Sequence, residues 1–140
     1  SEEQATANQA EGAAFLKANK AKEGVVTTES GLQYKVIKAG EGPSPAAEDT
    51  IKANYKGTFI NGEVFDQSQE GQPIEIPVGA VIKGWVEALQ LMKVGSKWEL
   101  YVPGDLAYGP QGPPGIGPNR TLIFEVELLE IVSKDAPGDK

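Results

Sequence analysis

The chain contains no cysteine and no histidine, and arginine occurs once, at position 120. Without thiol or imidazole there are no disulfides, no zinc sites built on thiolate or imidazole, no Cys or Ser–His nucleophile and no imidazole proton shuttle. Lysines are scattered singly, and 13 basic against 20 acidic side chains give a net charge of -7. Such a chain carries no basic stripe to neutralise a phosphate backbone, which argues against nucleic acid as a partner. No run approaches the roughly 18 apolar residues of a membrane span, and the first residues, Ser1-Glu2-Glu3-Gln4, have neither the basic nor the apolar region of a secretory leader, so the chain reads as mature or trimmed. Its 140 residues hold one domain and a short appendage.

What is present divides into two regions. Residues 1–23 are rich in Ala, Gln, Glu and Lys, contain no proline and are followed by Gly24, which predicts a helix. Its only large apolar residues are Phe15 and Leu16, a stripe too thin to anchor a core, so the helix is expected to be mobile or the remnant of a longer helical region. Beyond Gly24 lie nearly all of the 17 glycines and 10 prolines, separating short alternating segments that read as strands. Leu32–Ile37 alternates weakly, and residues 51–59 place Ile51, Ala53, Tyr55, Gly57 and Phe59 on one face. Asn61-Gly62 predicts a type I′ hairpin turn into a return strand starting at Val64. Between Val81 and Met92 the period lengthens, with Ile82, Trp85, Val86, Leu89 and Met92 forming the stripe of an amphipathic helix. Two closing strands are expected at Lys97–Val102 and Thr121–Val132, joined by a Gly- and Pro-rich loop over 103–119. The fold class that follows is α+β, an antiparallel sheet of about five strands with one short amphipathic helix across its concave face, preceded by an N-terminal helix. The expected division is a helix and linker over 1–30, a domain over 31–132 and a flexible tail over 133–140.

Several chemistries can be set aside. Glu63, Asp66, Glu70 and Glu75 have no spacing that fixes a carboxylate pair for glycoside hydrolysis. Gly112, Gly115 and Gly117 neither follow the dinucleotide fingerprint nor open a helix, and Asn119-Arg120-Thr121 is a glycosylation acceptor pattern without supporting context. More informative is the gathering of Tyr55, Phe59, Phe65, Trp85, Tyr108 and Phe124, six of the ten aromatic residues, near Gly- and Pro-rich loops. Taken singly each is ordinary core; together they suggest an aromatic pocket for an apolar ligand.

Five segments occur in order: Asn54-Tyr-Lys-Gly57, Gly62-Glu-Val-Phe-Asp66, Val81-Ile-Lys-Gly-Trp85, Leu106-Ala-Tyr-Gly109 and Thr121-Leu-Ile-Phe-Glu-Val-Glu-Leu-Leu129. Through them the chain resembles the FK506-binding protein family of peptidyl-prolyl isomerases, from about Gly31 to Ile131. Ala14-Phe-Leu-Lys-Ala-Asn19, Gly31-Leu-Gln-Tyr-Lys-Val36 and Trp98-Glu-Leu-Tyr-Val-Pro103 are most similar to the bacterial branch containing the macrophage infectivity potentiator proteins. The resemblance implies isomerisation of X–Pro bonds in unfolded or flexible proteins, with no metal or cofactor, and inhibition by macrolides of the FK506 and rapamycin type. It implies Trp85 as the pocket floor, with Tyr55, Phe65, Val81, Ile82 and Phe124 as walls and Ile76 standing where relatives often carry Phe. It implies that the Ile82 N–H and the Tyr108 hydroxyl donate to ligand carbonyls and that Asp66 supplies a polar edge, making Asp66 and Tyr108 the catalytic pair. Asp66 alone also reads as a turn-capping carboxylate. The loop over 110–117 overhangs the pocket in relatives, which brings in Pro113, although several relatives carry other residues at 113 and 117. The branch further implies a homodimeric parent held by an N-terminal helical part, this chain being monomeric by itself, and a place in the periplasm or on the outer-membrane surface of a Gram-negative bacterium, with the cytoplasm as the alternative. The competing reading is a chaperone or peptide-binding module of the same fold that holds apolar, Pro-containing segments.

Overall fold

A computed structural model describes residues 1–133. It contains helix α1 (Glu2–Asn19), strands β1 (Val25–Thr27), β2 (Gln33–Lys38), β3 (Thr50–Phe59), β4 (Val64–Gln67) and β5 (Ile74–Pro77), helix α2 (Lys83–Leu91), and strands β6 (Lys97–Val102) and β7 (Leu122–Ser133). All strand pairs are antiparallel, in the order β1-β2-β6-β7-β3-β4, and β5 pairs with β3 beside β4. The sheet therefore has seven strands where about five were expected from the sequence. The two additions are the three-residue β1 and the four-residue β5. Because β1 pairs with β2, the sheet begins at Val25, ahead of the boundary expected at 31. At the other end β7 runs through Ser133, and residues 134–140 of the expected tail lie outside the described residues.

The alternation in β3 appears as anticipated: Ile51, Ala53, Gly57 and Phe59 are buried, while Lys52, Asn54 and Thr58 are half-buried and Lys56 is exposed. Leu100 and Val102 of β6, and Leu122, Phe124, Val126 and Leu128 of β7, complete this apolar face. Helix α2 covers it with Trp85, Ala88 and Leu89, and Met92 follows at its C-cap. Large buried side chains such as Leu89 and Met92 contribute about 1.5–3 kcal/mol each. Close contact between helix and sheet depends on Gly84, where a Cβ would lie 2.6 Å from Val102 Cγ1. The helix is shorter than its stripe, so Val81 and Ile82 precede it in extended backbone.

The hairpin after β3 departs from the predicted type I′ turn. Among the described residues the only non-glycine with positive φ is Asn119, whereas type I′ needs positive φ at both central residues, Asn61 included. Instead Gly62 N–H donates to Phe59 O, Phe59 N–H to Glu63 O and Glu63 N–H to Asn61 Oδ1, and Gly62 alone has positive φ, at 94°. This is a type I turn with a glycine bulge.

Helix α1 is docked. Ala5, Asn8, Gly12, Phe15, Leu16 and Asn19 lie on one side at helical spacing and are the residues of α1 that are not exposed. Asn8 Nδ2 donates to Pro118 O (2.8 Å), Asn119 Nδ2 to Ala5 O (3.4 Å), Asn19 Nδ2 to Gln33 Oε1 (2.8 Å) and Gln33 Nε2 to Leu16 O (2.9 Å). Phe15 packs 6.1 Å from Tyr101, which alternation sends to the face of β6 opposite α2. The expectation of a mobile helix fails because the docking stripe consists mainly of Ala, Asn and Gly, which add almost nothing to an apolar count.

Candidate active site

The site lies where β3, β4, β5, the start of α2 and the 103–119 loop converge. A cleft of about 310 Å³ is lined there by Tyr55, Phe65, Asp66, Ile74, Ile76, Ala80, Val81, Ile82, Trp85, Tyr108 and Phe124. That volume suits a small apolar group with a few polar contacts.

Its floor is an interlocked aromatic set. Trp85 meets Phe124 edge to face at 5.2 Å and Tyr55 at 5.6 Å, and Phe65 meets Phe124 edge to face at 5.7 Å. Phe59 stacks behind Phe65 at 4.9 Å. Pairs of this geometry add about 0.5–1.5 kcal/mol each beyond their buried area, so the floor is stiff. Gly57 makes the arrangement possible: it pairs with Phe124 on β7 and Asp66 on β4, and a Cβ there would come within 2.7 Å of Phe65 Cζ. Tyr55 is fixed by its backbone, because Ser68 Oγ accepts from Tyr55 N–H (3.0 Å) and Ser68 N–H donates to Tyr55 O (2.9 Å).

Polar groups occupy the rim. Tyr55 Oη donates to Asp66 Oδ2 at 2.7 Å. Burial first, then the hydrogen bond to Asp66 and its charge, with Tyr108 adding to them, push the Tyr55 phenol up to about 12. Tyr55 thus stays neutral and holds Asp66 in orientation, and among the described residues Asp66 is the only acidic or basic side chain lining the cleft. Ile82, the N-cap of α2, offers no side-chain cap, and no acceptor for its own N–H is found among the described residues. The helix therefore presents free donors beside the cleft, a position that favours a carbonyl or other electron-rich ligand atom. Tyr108 is 44% exposed and reaches the cleft from the loop. Trp85 Nε1 is buried and finds no hydrogen-bond partner among the described residues. Among the described residues no group of three or more acidic side chains is arranged to hold a metal ion.

Nine of the ten residues singled out in the sequence are brought together here: Tyr55, Phe65, Asp66, Ile76, Val81, Ile82, Trp85, Tyr108 and Phe124. Pro113 is not. Its carbonyl accepts from Ile116 N–H and Gly117 N–H, and this turn packs Ile116 on the core while leaving the Pro113 ring exposed outside the cleft. Ile74 and Ala80 were missed. Ile74-Glu75-Ile76 does alternate, which was a signal for Ile74, whereas nothing local marks Ala80 as a wall.

The model of the FKBP-type peptidyl-prolyl cis-trans isomerase matches residues 42–129, and a model for the domain amino-terminal to it matches residues 1–36. The chain is 57% identical over 123 residues to the peptidyl-prolyl cis-trans isomerase Mip of Coxiella burnetii, covering 86% of this chain and 54% of that protein. It is 56% identical over 125 residues to the FKBP-type 22 kDa peptidyl-prolyl cis-trans isomerase of Escherichia coli, covering 88% and 61% respectively. A protein of Legionella longbeachae named outer membrane protein MIP is 54% identical over 126 residues, with 89% of this chain and 54% of that one covered. The chain thus spans little more than half the length of these relatives. Among solved structures, FkpA from Escherichia coli superposes with a TM-score of 0.89 at 44% identity, over 93% of this chain and 62% of that one. A peptidyl-prolyl cis-trans isomerase from Pseudomonas syringae pv. tomato superposes with a TM-score of 0.86 at 36% identity, over 91% and 96%. With the family model matching more than half of its residues and the same fold beneath them, the chain belongs to the FKBP-type peptidyl-prolyl cis-trans isomerase family.

Proposed function

We propose that this chain accelerates rotation about X–Pro bonds of unfolded or flexible proteins in the cleft over Trp85, using neither covalent nor metal chemistry. The observation that carries the reading is an aromatic floor ringed by an uncapped N–H at Ile82, the Tyr108 hydroxyl and a Tyr55-bound Asp66 carboxylate.

Rotation of a planar amide must surmount about 18–20 kcal/mol, and an unassisted X–Pro bond takes tens of seconds or more. The top of that barrier is a twisted amide that has lost conjugation between nitrogen and carbonyl. A site that binds this form more tightly than either planar form lowers the barrier, about tenfold for each 1.36 kcal/mol of preference. The twisted amide is less polar than the planar one, so an apolar, water-poor cleft strips less hydration from it. The proline ring sits on Trp85, with Phe65, Ile76, Val81 and Phe124 as walls. Ile82 N–H and the Tyr108 hydroxyl hold the flanking carbonyls, which fixes one side of the bond while the other turns. Asp66, steered by Tyr55, gives the polar edge. Macrolides of the FK506 and rapamycin type compete for the same cleft.

The neighbouring assignments belong to the same reading. Residues 1–30 are the end of a helical region that dimerises the longer parent, and residues 31–132 are the isomerase domain. The parent works in the periplasm or on the outer-membrane surface of a Gram-negative bacterium, a reading supported by the relative named outer membrane protein MIP. No described helix is long and apolar enough to cross a membrane.

The test is NMR exchange kinetics on a short Xaa-Pro peptide with the unsubstituted 140-residue chain as parent and with Tyr108→Ala. The parent accelerates exchange, and the folded variant loses about threefold to tenfold, the worth of one hydrogen bond made in the transition state. An equal rate in a folded variant removes Tyr108 from the mechanism, and no acceleration by the parent leaves a module that only holds peptide.

A further inference from the structure

We propose that α1 braces the loop that carries Tyr108, so that Asn8, Gly12 and Asn119 are positioning residues for the isomerase site. The proposal rests on the role given above to Tyr108.

The 109–119 loop closes on itself. Asn119 N–H donates to Gly109 O at 2.8 Å, which ties the loop's end to the residue directly after Tyr108. Within it Gly112 lies against Gly117, where a Cβ would be 1.9 Å from Gly117 O. A loop so tied passes a displacement of its base on to Tyr108, although Leu106, Ala107 and Ile116 also pack on the core. The base is residues 118–121, and three groups of α1 or facing α1 hold it. Asn8 Nδ2 donates to Pro118 O, Asn119 Nδ2 donates to Ala5 O, and Gly12 packs on the buried Thr121, leaving no room for a Cβ, which would lie 2.2 Å from Thr121 Oγ1. Asn119 itself holds φ at 53°, the left-handed region where Asn is favoured over most residues, so its backbone points the N–H at Gly109 while its side chain reaches back to α1. The rest of this seam is open: a cleft of about 370 Å³ separates Gln9 and Leu16 from Asp105 and Asn119. The brace therefore depends on these few contacts rather than on broad packing.

Gly12→Leu tests it, because leucine is a better helix former than glycine and the clash with Thr121 displaces α1 without unwinding it. Asn8→Ala removes one hydrogen bond and leaves the packing of α1 in place, so it reports even if Gly12→Leu fails to fold. In the full chain each variant is expected to lower kcat on an Xaa-Pro peptide about threefold to tenfold with KM little changed, and to speed hydrogen exchange of the Asn119 amide. Combined with Tyr108→Ala, neither variant should lower kcat further, because the brace acts through that residue. Parent kcat in both single variants overturns the proposal, as does an undiminished loss in the Tyr108→Ala background, which would mark a general loss of structure. If Tyr108→Ala itself keeps parent kcat, the reading of Tyr108 fails separately. Asn119 exchange then decides the brace alone: faster exchange in the α1 variants sustains it, and parental exchange overturns it.

Discussion

Gly57→Ala places one methyl group between two walls of the cleft. The new Cβ would lie 2.7 Å from Phe65 Cζ, 3.0 Å from Phe65 Cε2 and 2.9 Å from Phe124 Cε1. Carbon atoms pack best at about 3.5–4.0 Å, so Phe65 has to retreat by about 0.8 Å and Phe124 by about 0.6 Å. Each ring is backed by another, Phe65 by Phe59 and Phe124 by Trp85, so the relief left to them is into the cleft. Overpacking of this kind costs about 1–3 kcal/mol, or about 3–12 °C in Tm for a chain of this size. Because the displaced rings are pocket walls, kcat/KM for an Xaa-Pro peptide should fall about tenfold or more. Gly62→Ala is the control: Gly62 has φ of 94° with no atom near its would-be Cβ, and it lies outside the cleft. It should lose about 1–2 kcal/mol through backbone strain while keeping the parent rate. Thermal unfolding and peptide kinetics, both well below Tm, separate the two. A Gly57→Ala protein with parental stability and rate would refute the reasoning, as would equal loss of rate in both variants.

Two further outcomes follow from the same residues. The fold favours the neutral Tyr55 phenol, whose pKa rises from 10.0 to about 12, so its contribution is intact below pH 10 and is lost as the pH climbs through about 12. Over that window the parent should lose stability relative to Tyr55→Phe, as read by denaturant unfolding, and parallel curves would refute the pairing with Asp66. Ile76 is 5% exposed and lines the cleft, at the position where the family resemblance leads one to expect the larger Phe. Ile76→Phe should therefore tighten rapamycin binding measured by calorimetry, and unchanged or weaker affinity would show that this wall does not limit the fit to bulky ligands.

How much of this was legible in the sequence depends on whether a contact is written in large apolar residues. The strand over 51–59 and the stripe from Ile82 to Met92 were, because burial of one face imposes a period of two or 3.6 on bulky side chains. β5 was hidden by its length of four residues, by Pro73 directly before it and by Pro77 at its end, which read as loop. β1 is too short to show alternation at all. The face of α1 has the right period, yet it is written in Ala5, Asn8, Gly12 and Asn19, whose contacts are hydrogen bonds and close approach rather than apolar area. The hairpin at Asn61-Gly62 was located but its turn was not, since the same dipeptide serves a type I turn with Gly62 as the bulge. The cleft was legible because five ordered motifs carry eight of its eleven lining residues. Pro113 fell outside because the path of a tied loop is set by close approaches within it, such as Gly112 against Gly117 and Asn119 against Gly109, which no periodicity announces.

The central claim is that this cleft speeds X–Pro rotation by favouring a twisted amide, with no proton or bond transferred. The direct measurement is the catalysed exchange rate of one Xaa-Pro peptide, by NMR, from about pH 6 to pH 9, before and after saturation with rapamycin. A chain without His or Cys, in which burial and Asp66 push the Tyr55 phenol up to about 12, should give acceleration that is flat across this range and abolished by the macrolide. Absence of acceleration, a bell-shaped profile, or activity that survives rapamycin would contradict the account.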